Sequence, residues 1–414
     1  MDGISKIIIW RIGMAKKRIL MIIPTLSNGG AERVVSNLSI GLEKEYDIDI
    51  LLDYDNVGYD YRGNIIKCLP NVKKEPKGFL KIFMNLKKYT MLRRMKKNHQ
   101  YDVYISHLRL SNFWNVLSGS SKCKTIATVH SSISRRIGNK KRLKVWYYVE
   151  KFSYKKATRV VAVSQGVANE VQSIYGLSAD KVAAIWNGTD IAHVNQLMQE
   201  QLSDVQRKWF STGNDNIITV GRYTTPKAQW HLIRAFSKVV QDYPNARLII
   251  LGEGELRGYY EDLLDKLNIK KNVVLGGFQE NPFSFIAQST VFVLGSLWEG
   301  MGCTLVEALC CGVPCIVTEY RYGSREILRI DDTLKIPATG YLIGDYGIVT
   351  PVCSGKKYLG NEPLESGEEA LADAIKELLA NKELRQEIVN NNKNRLQDFD
   401  ISEMIKKWKN VIEE

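Results

Sequence analysis

The stretch Ser296-Leu297-Trp298-Glu299-Gly300-Met301-Gly302-Cys303-Thr304-Leu305-Val306-Glu307 places two carboxylates eight positions apart around a glycine-rich turn. The apolar run Val291 to Leu294 before it reads as a strand, and the residues after Gly302 read as the start of a helix. Glu299 then falls in the turn and Glu307 in the first turns of the helix, so both can reach one ligand from different heights. Carboxylates accept hydrogen bonds, which suits sugar and ribose hydroxyls. The backbone N–H groups from Met301 to Thr304, including those of Gly302 and Cys303, stand at a helix start where a phosphate oxygen can be held. Hydroxyl acceptors beside phosphate donors point to a nucleotide sugar. The competing reading makes Glu299 a helix cap and Glu307 a solvated helix residue.

A second group, Val220-Gly221-Arg222-Tyr223-Thr224-Thr225-Pro226-Lys227, puts two cations just beyond another strand. Negative charge grows on a departing diphosphate, and a fixed guanidinium with an ammonium can stabilise that charge as a metal ion would. Ordinary surface ion pairing is the alternative. Nearer the start, Ser27-Asn28-Gly29-Gly30-Ala31-Glu32-Arg33 joins strand to helix, and its paired glycines let the backbone approach a ligand or simply make a tight turn. It lacks the full dinucleotide fingerprint. His130 follows the strand Lys124 to Val129 and His107 follows Val103 to Ser106, so both imidazoles stand at strand ends. Neither is assigned as a base.

These side chains need a scaffold, and the chain has room for one of two parts. Its 414 residues exceed the size at which one hydrophobic core usually stops growing. Short β-branched runs recur at Ile19 to Ile23, Asp49 to Leu52, Val103 to Ser106, Thr125 to Val129 and Val160 to Val163. The rhythm restarts at Ile217 to Val220, Leu248 to Leu251, Val273 to Leu275, Val291 to Leu294 and Ile316 to Val317. Apolar residues at helical spacing mark Glu255 to Leu267, Leu371 to Leu379 and Ser402 to Ile412. The expected fold class is α/β, with two doubly wound, Rossmann-like parallel-sheet domains facing across a cleft.

The net charge of +13 is uneven. Up to Asn195 the balance is +18, and the remainder carries −5, so the first half should be drawn to something anionic. Within it, Lys73 to Lys97 interleaves Lys81, Lys87, Lys88, Arg93, Arg94, Lys96 and Lys97 with Phe79, Ile82, Phe83, Leu86 and Met95, a basic amphipathic helix. A second cluster, Arg135, Arg136, Lys140, Lys141, Arg142 and Lys144, precedes Trp146, Tyr147 and Tyr148. Both suit an anionic membrane face. The seven cysteines show neither paired nor metal-ligand spacing and read as reduced thiols. No apolar run near the start is long enough to span a bilayer, and Met14 opens a cleaner start than Met1.

Taken together, Gly29-Gly30-Ala31-Glu32-Arg33, Ala162-Val163-Ser164, Asn187-Gly188-Thr189-Asp190, Gly221-Arg222 with Lys227, Gly252-Glu253-Gly254-Glu255-Leu256 and the Glu299–Glu307 pair resemble the retaining GT-B glycosyltransferases of the glycogen-synthase-like and lipopolysaccharide or capsule family, group 1 or family 4. The resemblance implies an acceptor-binding domain over residues 1–190, a donor-binding domain over 191–395, and a helix over 396–414 packing back on the first domain. It implies that Glu299 contacts the donor sugar, Glu307 the ribose, and Arg222 and Lys227 the diphosphate, with His130 the histidine of the cleft. Gly29, Gly30, Gly252, Glu253 and Gly300 join the donor contacts. The departing phosphate assists the acceptor, so no protein nucleophile, cofactor or metal is expected. The donor is a nucleotide sugar, expected to be UDP-linked, carrying a hexose or N-acetylhexosamine. The acceptor that the resemblance implies is a growing glycan, lipid-linked or lipopolysaccharide core, at the inner face of the cytoplasmic membrane.

Ala228 departs from the glycine usual after the lysine, and Gly323 with Glu326 fits the family's Gly-x-x-Glu. Three rivals remain in view. Basic-aromatic interleaving also serves nucleic-acid binding, which the acidic second half disfavours. An Asp53-Tyr54-Asp55 metal site would make a metal-dependent transferase. A GT-B epimerase or phosphorylase shares the scaffold.

Overall fold

The structure, a computed structural model, describes residues 16–27, 29–119, 122–133, 141–210, 212–213, 215–331 and 340–414. Met14, Asn28, Arg135, Arg136 and Lys140 lie outside them, as do the side chains of Lys141, Arg142 and Lys144. The chain divides into two compact units. The first comprises residues up to Val163, Ala168–Ile185 and Met404–Glu414; the second comprises Ser164–Val167 and Trp186–Glu403.

In chain order the first unit contains β1 (Arg18–Ile23), α1 (Gly30–Leu42), β2 (Asp47–Tyr54), β3 (Asn64–Leu69), α2 (Gly78–Lys97), β4 (Val103–Ser106), α3 (Arg109–Leu117), β5 (Lys124–Val129), α4 (Lys141–Lys156), β6 (Arg159–Ala162), α5 (Gln165–Tyr175) and β7 (Val182–Ala184). The strands form one sheet in the order β3-β2-β1-β4-β5-β6-β7, every pairing parallel. Its central strands are buried on both faces, which is why Ile19 to Ile23 reads as unbroken apolar sequence rather than alternation. β3 and β7 escaped sequence reading: one is a half-exposed edge strand, the other only three residues long.

Two lysines of the basic helix are not on its surface. Lys88 is fully buried and paired with Asp53 at 2.6 Å. Lys96 is buried too, and its ammonium donates to the Asn115 Oδ1 at 2.9 Å and to the carbonyl oxygens of Asn115 and Gly119, the end of α3. Burial pulls Lys96 down to about 8. Asp55 is held by Lys67 at 2.8 Å. Both carboxylates of Asp53-Tyr54-Asp55 are therefore paired with the chain's own lysines, which weighs against the rival reading of that tripeptide as a metal site.

The second unit continues with α6 (Ile191–Leu197), α7 (Asp204–Arg207), β8 (Asn216–Val220), α8 (Gln229–Asp242), β9 (Arg247–Leu251), α9 (Arg257–Lys266), β10 (Val273–Gly277), α10 (Phe283–Ala287), β11 (Val291–Leu294), α11 (Cys303–Cys310), β12 (Cys315–Thr318), α12 (Ser324–Leu328), β13 (Leu342–Gly344), β14 (Gly347–Thr350), α13 (Ser366–Ala380) and α14 (Lys382–Arg395), and the last helix, α15 (Ile401–Glu413), starts in it and passes to the first unit at Met404. The second unit's sheet runs β10-β9-β8-β11-β12-β14-β13, parallel except for the β13–β14 hairpin. Order reverses between β8 and β11, the place where ligands of open parallel sheets bind.

A buried ionic network locks α8 to α13. Glu368, with no exposed surface, accepts from Arg234 Nε at 2.9 and 3.0 Å and from His231 Nδ1 at 2.7 Å. His231 Nε2 accepts from the Gly355 N–H at 3.1 Å, so both ring nitrogens are used. Arg234 also donates to the carbonyls of Glu362 and Pro363 and stacks 4.2 Å over Tyr358.

The units change at Ile185/Trp186 and Glu403/Met404, rather than at 190/191 and 395/396. The physical reason is local. Trp186 stacks on Phe399 at 4.9 Å, and Thr189 bridges to Asp400, which keeps residues up to Glu403 with the second sheet. From Met404 onward α15 packs on the first unit. Ile405 meets Gly41, Trp408 meets His107, and Glu413 pairs with Lys17 at 2.5 Å and accepts from Tyr46 at 2.8 Å.

Candidate active site

In the second unit, the loops after β8, β9 and β10 are laced through their backbones. The N–H of Gly221 donates to Leu251 O at 2.9 Å, that of Tyr223 to Glu253 O at 2.9 Å, and that of Gly252 to Gly277 O at 2.8 Å. Gly252 has φ +134°, and a Cβ there would stand 2.1 Å from the Gly221 oxygen, so this lacing needs glycine. Glu253 is exposed on the same edge.

Arg222 is exposed on the β8 loop, and its side chain has no partner among the described residues. Its backbone is clamped from below. Gln229, buried at the start of α8, donates to the oxygens of Gly221 at 3.1 Å and Arg222 at 3.2 Å, and its own Oε1 accepts from Tyr260 at 2.8 Å. Sequence reading missed Gln229; a buried amide just after a loop that must stay fixed is the signal that could have found it. Ala228, before it, is fully buried in the left-handed region at φ +46°. A side chain there costs on the order of 1–2 kcal/mol, which explains why glycine is usual at this point and makes the substitution more than cosmetic.

Lys227 reaches across to the β11 loop. Its Nζ donates to Glu299 Oε1 at 2.6 Å, and Ser296 Oγ donates to the same oxygen at 2.7 Å. Both partners are mostly buried, with side chains 20% and 16% exposed. Glu299 therefore does not cap α11. The cap position is Gly302, at φ +89° and without a side-chain cap bond; a Cβ there would sit 2.1 Å from the Tyr320 hydroxyl oxygen. Tyr320 donates that hydroxyl to Met301 O at 2.9 Å and so fixes the turn Gly300-Met301-Gly302.

The first N–H groups of α11, at Cys303 and Thr304, find no acceptor among the described residues, and the Thr304 Oγ1 is buried without a partner. Burial pushes the Cys303 thiol up to about 11, so it stands as a neutral thiol, accepting from Asn187 Nδ2 at 3.4 Å. Glu307 lies half-exposed on α11. Glu326, on α12, accepts from the N–H groups of Gln165 at 2.9 Å and Gly166 at 2.7 Å, and from Trp186 Nε1 at 3.2 Å.

The remaining candidates belong to the first unit. Gly29 caps α1 and Gly30 opens it; a Cβ on Gly29 would meet the Glu32 carboxylate at 2.2 Å, whereas one on Gly30 meets nothing. His130 follows β5, with its Nε2 2.9 Å from Thr128 Oγ1 and 3.1 Å from His107 Nδ1. His107 is fully buried and His130 half-buried.

The family model "Glycosyltransferase Family 4" matches residues 28–193, and the model "Glycosyl transferases group 1" matches residues 203–348. An uncharacterised glycosyltransferase of Methanocaldococcus jannaschii is 38% identical over 270 residues, 64% of this chain and 65% of its own length. A Campylobacter jejuni relative, N-acetylgalactosamine-N,N'-diacetylbacillosaminyl-diphospho-undecaprenol 4-alpha-N-acetylgalactosaminyltransferase, is 24% identical over 93% of this chain and 96% of its own. The crystal structure of Anabaena HepE in complex with UDP and glucose superposes with a TM-score of 0.73, at 17% identity, over 96% of this chain and 99% of that one. With one model on each unit, and with two doubly wound sheets of the GT-B type, the chain belongs to the group 1 glycosyltransferases.

Proposed function

We propose that this protein transfers a hexose or N-acetylhexosamine from a UDP-linked donor, with retention of anomeric configuration and without a metal ion, to a lipid-linked glycan. The observation that carries the reading is the meeting of Lys227 and Glu299 beside an unpartnered Arg222 and the free amides of α11. Cation, guanidinium and amides can hold the departing diphosphate, while Glu299 and Glu307 accept from sugar and ribose hydroxyls. Support for the donor comes from HepE, whose complexes contain UDP and UDP-glucose. Support for the acceptor comes from the Campylobacter transferases that act on undecaprenol-diphosphate glycans and from the alpha-1,3-galactosyltransferase of Escherichia coli acting on GlcNAc-diphosphoundecaprenol. A panel of nucleotide sugars incubated with purified protein, with and without EDTA, tests the reading. UDP-sugars are expected to be turned over equally in both; loss of turnover in EDTA refutes the metal-free mechanism.

No helix among the described residues is long and apolar enough to cross a membrane. The first unit instead offers a surface to one. On α2, Phe79, Ile82, Phe83 and Leu86 share one face and are exposed, Phe79 to 82%, while Met84, Lys88, Leu92 and Lys96 face the sheet. Lys73, Lys74 and Lys77 stand exposed just before this stripe, and Arg93, Arg94 and Lys97 after it. Each cation near an anionic leaflet adds about 1 kcal/mol. The apolar stripe would lie in the interface with the cations on headgroups, and the acceptor's lipid would then come within reach of the first unit. Changing Phe79, Ile82 and Leu86 together to Ser is expected to abolish flotation with anionic liposomes without lowering the melting temperature. Undiminished flotation would refute docking by α2.

A further inference from the structure

The strand order of the first sheet reverses between β1 and β4, and open parallel sheets bind ligands outside the carboxyl ends of their strands at such a reversal. Two helices start there, α1 after β1 and α3 after β4. The start of α1 already has a negative group: Glu32 lies in its first turn, with its carboxylate beside Gly29. The start of α3 has none. Its first turn, Arg109-Leu110-Ser111, holds no acidic residue, and Leu108 at the cap position offers no side-chain cap. The N–H groups of Arg109, Leu110 and Ser111 find no acceptor among the described residues.

A further donor is left over at the same place. Ser111 has no exposed surface, and its hydroxyl is buried without a partner. A serine within a helix can turn its hydroxyl onto the carbonyl four residues back, and this one does not. The Cα–Cβ bonds of a helix tilt toward its amino end, so the Ser111 hydroxyl stands on the side of the three amides. A buried donor left unmade is costly, and a ligand oxygen on this turn removes the deficit. The charged side chain of the turn is engaged elsewhere. Arg109 is held against α4, its Nε donating to the buried Glu150 at 2.8 Å and its guanidinium 4.8 Å over the Trp146 ring.

We propose that the start of α3 is an anion subsite of the first unit and holds a phosphate group of the acceptor. Three N–H groups and one O–H make four donors at the end of a helix whose dipole favours negative charge. A phosphate group offers several oxygens to accept from them, whereas a sugar hydroxyl offers one. The excess of lysine and arginine up to Asn195 draws such a group in. Assigning the phosphate to the acceptor rests on the proposed lipid-linked glycan; the anion subsite itself does not.

Amide NMR of the full deuterated chain, titrated with inorganic phosphate at constant ionic strength, tests the subsite without any transfer. The N–H signals of Arg109, Leu110 and Ser111 are expected to move together and saturate in the millimolar range, while chloride moves none of them. Ser111→Ala should raise the midpoint about tenfold, the loss of one hydrogen bond to a charged group. It should not lower the melting temperature, because the hydroxyl it removes has no partner. Leu110→Asp, at a half-exposed position, should abolish the response by putting a carboxylate on the same turn. GlcNAc-diphosphate on a short isoprenoid should move the same three amides, and the neutral methyl glycoside of GlcNAc should not. Absence of a saturable response to phosphate, or an unchanged midpoint in Ser111→Ala, overturns the subsite. UDP displacing phosphate from these amides, or no response to the isoprenoid diphosphate, overturns the assignment to the acceptor. Saturation by both probes without sugar transfer from any UDP-sugar supports the subsite and overturns the proposed transfer reaction.

Discussion

Lys227→Ala and Glu299→Ala should each lower donor turnover by about 10²–10³-fold, the usual loss when one preorganised charge-stabilising group is removed. The losses should not add. The two side chains touch at 2.6 Å, and each sets the other's position, so the double variant should be little worse than either single one. Glu299→Gln separates the roles. It keeps an acceptor for Ser296 Oγ, 2.7 Å away, but no longer holds Lys227 by charge. Its turnover should lie between native and Glu299→Ala. Lys227→Arg should rescue poorly, because a planar fork does not fit the point contact an ammonium makes with Oε1. The pair is mostly buried, so the melting temperature of each variant is measured beside its turnover to separate lost stability from lost charge stabilisation. If both alanine variants turn over donor within about threefold of the native rate, the site is elsewhere.

The second large effect is on stability. Glu368→Gln should cost the second unit about 3–5 kcal/mol, because it leaves the fully buried Arg234 guanidinium without a counter-charge. For a unit of this size that is a fall of roughly 10 °C in melting temperature. Arg234 keeps its carbonyl acceptors at Glu362 and Pro363, so the loss is one of charge, not of every hydrogen bond. Replacing the pair together, Arg234→Met with Glu368→Leu, should restore much of the difference, since it removes both desolvation costs. Urea unfolding followed by tryptophan emission reads both, as Trp230 abuts His231. A single-variant loss under about 1 kcal/mol would mean that the network is not holding α8 to α13.

How far these features could be read from residues alone depends on their range. Strands of the sheet centres carry their own signal, because burial on both faces leaves only apolar side chains. Val291 to Leu294 matches β11 residue for residue. Edge strands such as β13, at three residues with an exposed middle, carry almost none. The turn from Glu299 to Thr304 was legible because its chemistry is contiguous. That Lys227 lies against Glu299, 72 positions away, was not, since only the parallel pairing of β8 with β11 brings them together. Charge was legible in sum but not in place. Lys88 and Lys96 look like any other lysines of α2, yet the helix turns both inward, where Asp53 and the end of α3 wait for them. Gln229 and the histidine pair share that obscurity, since each matters through a partner supplied by another strand.

The crossing of α15 has a consequence for how the protein is made. A chain leaving the ribosome usually folds its amino-terminal domain first. Here the first unit is completed by Met404, Ile405, Trp408, Val411 and Ile412, which are synthesised only after the whole second unit. Until they emerge, the groove beside α1 and the His107 ring stays uncovered, so the unit that begins synthesis is the one that finishes folding last.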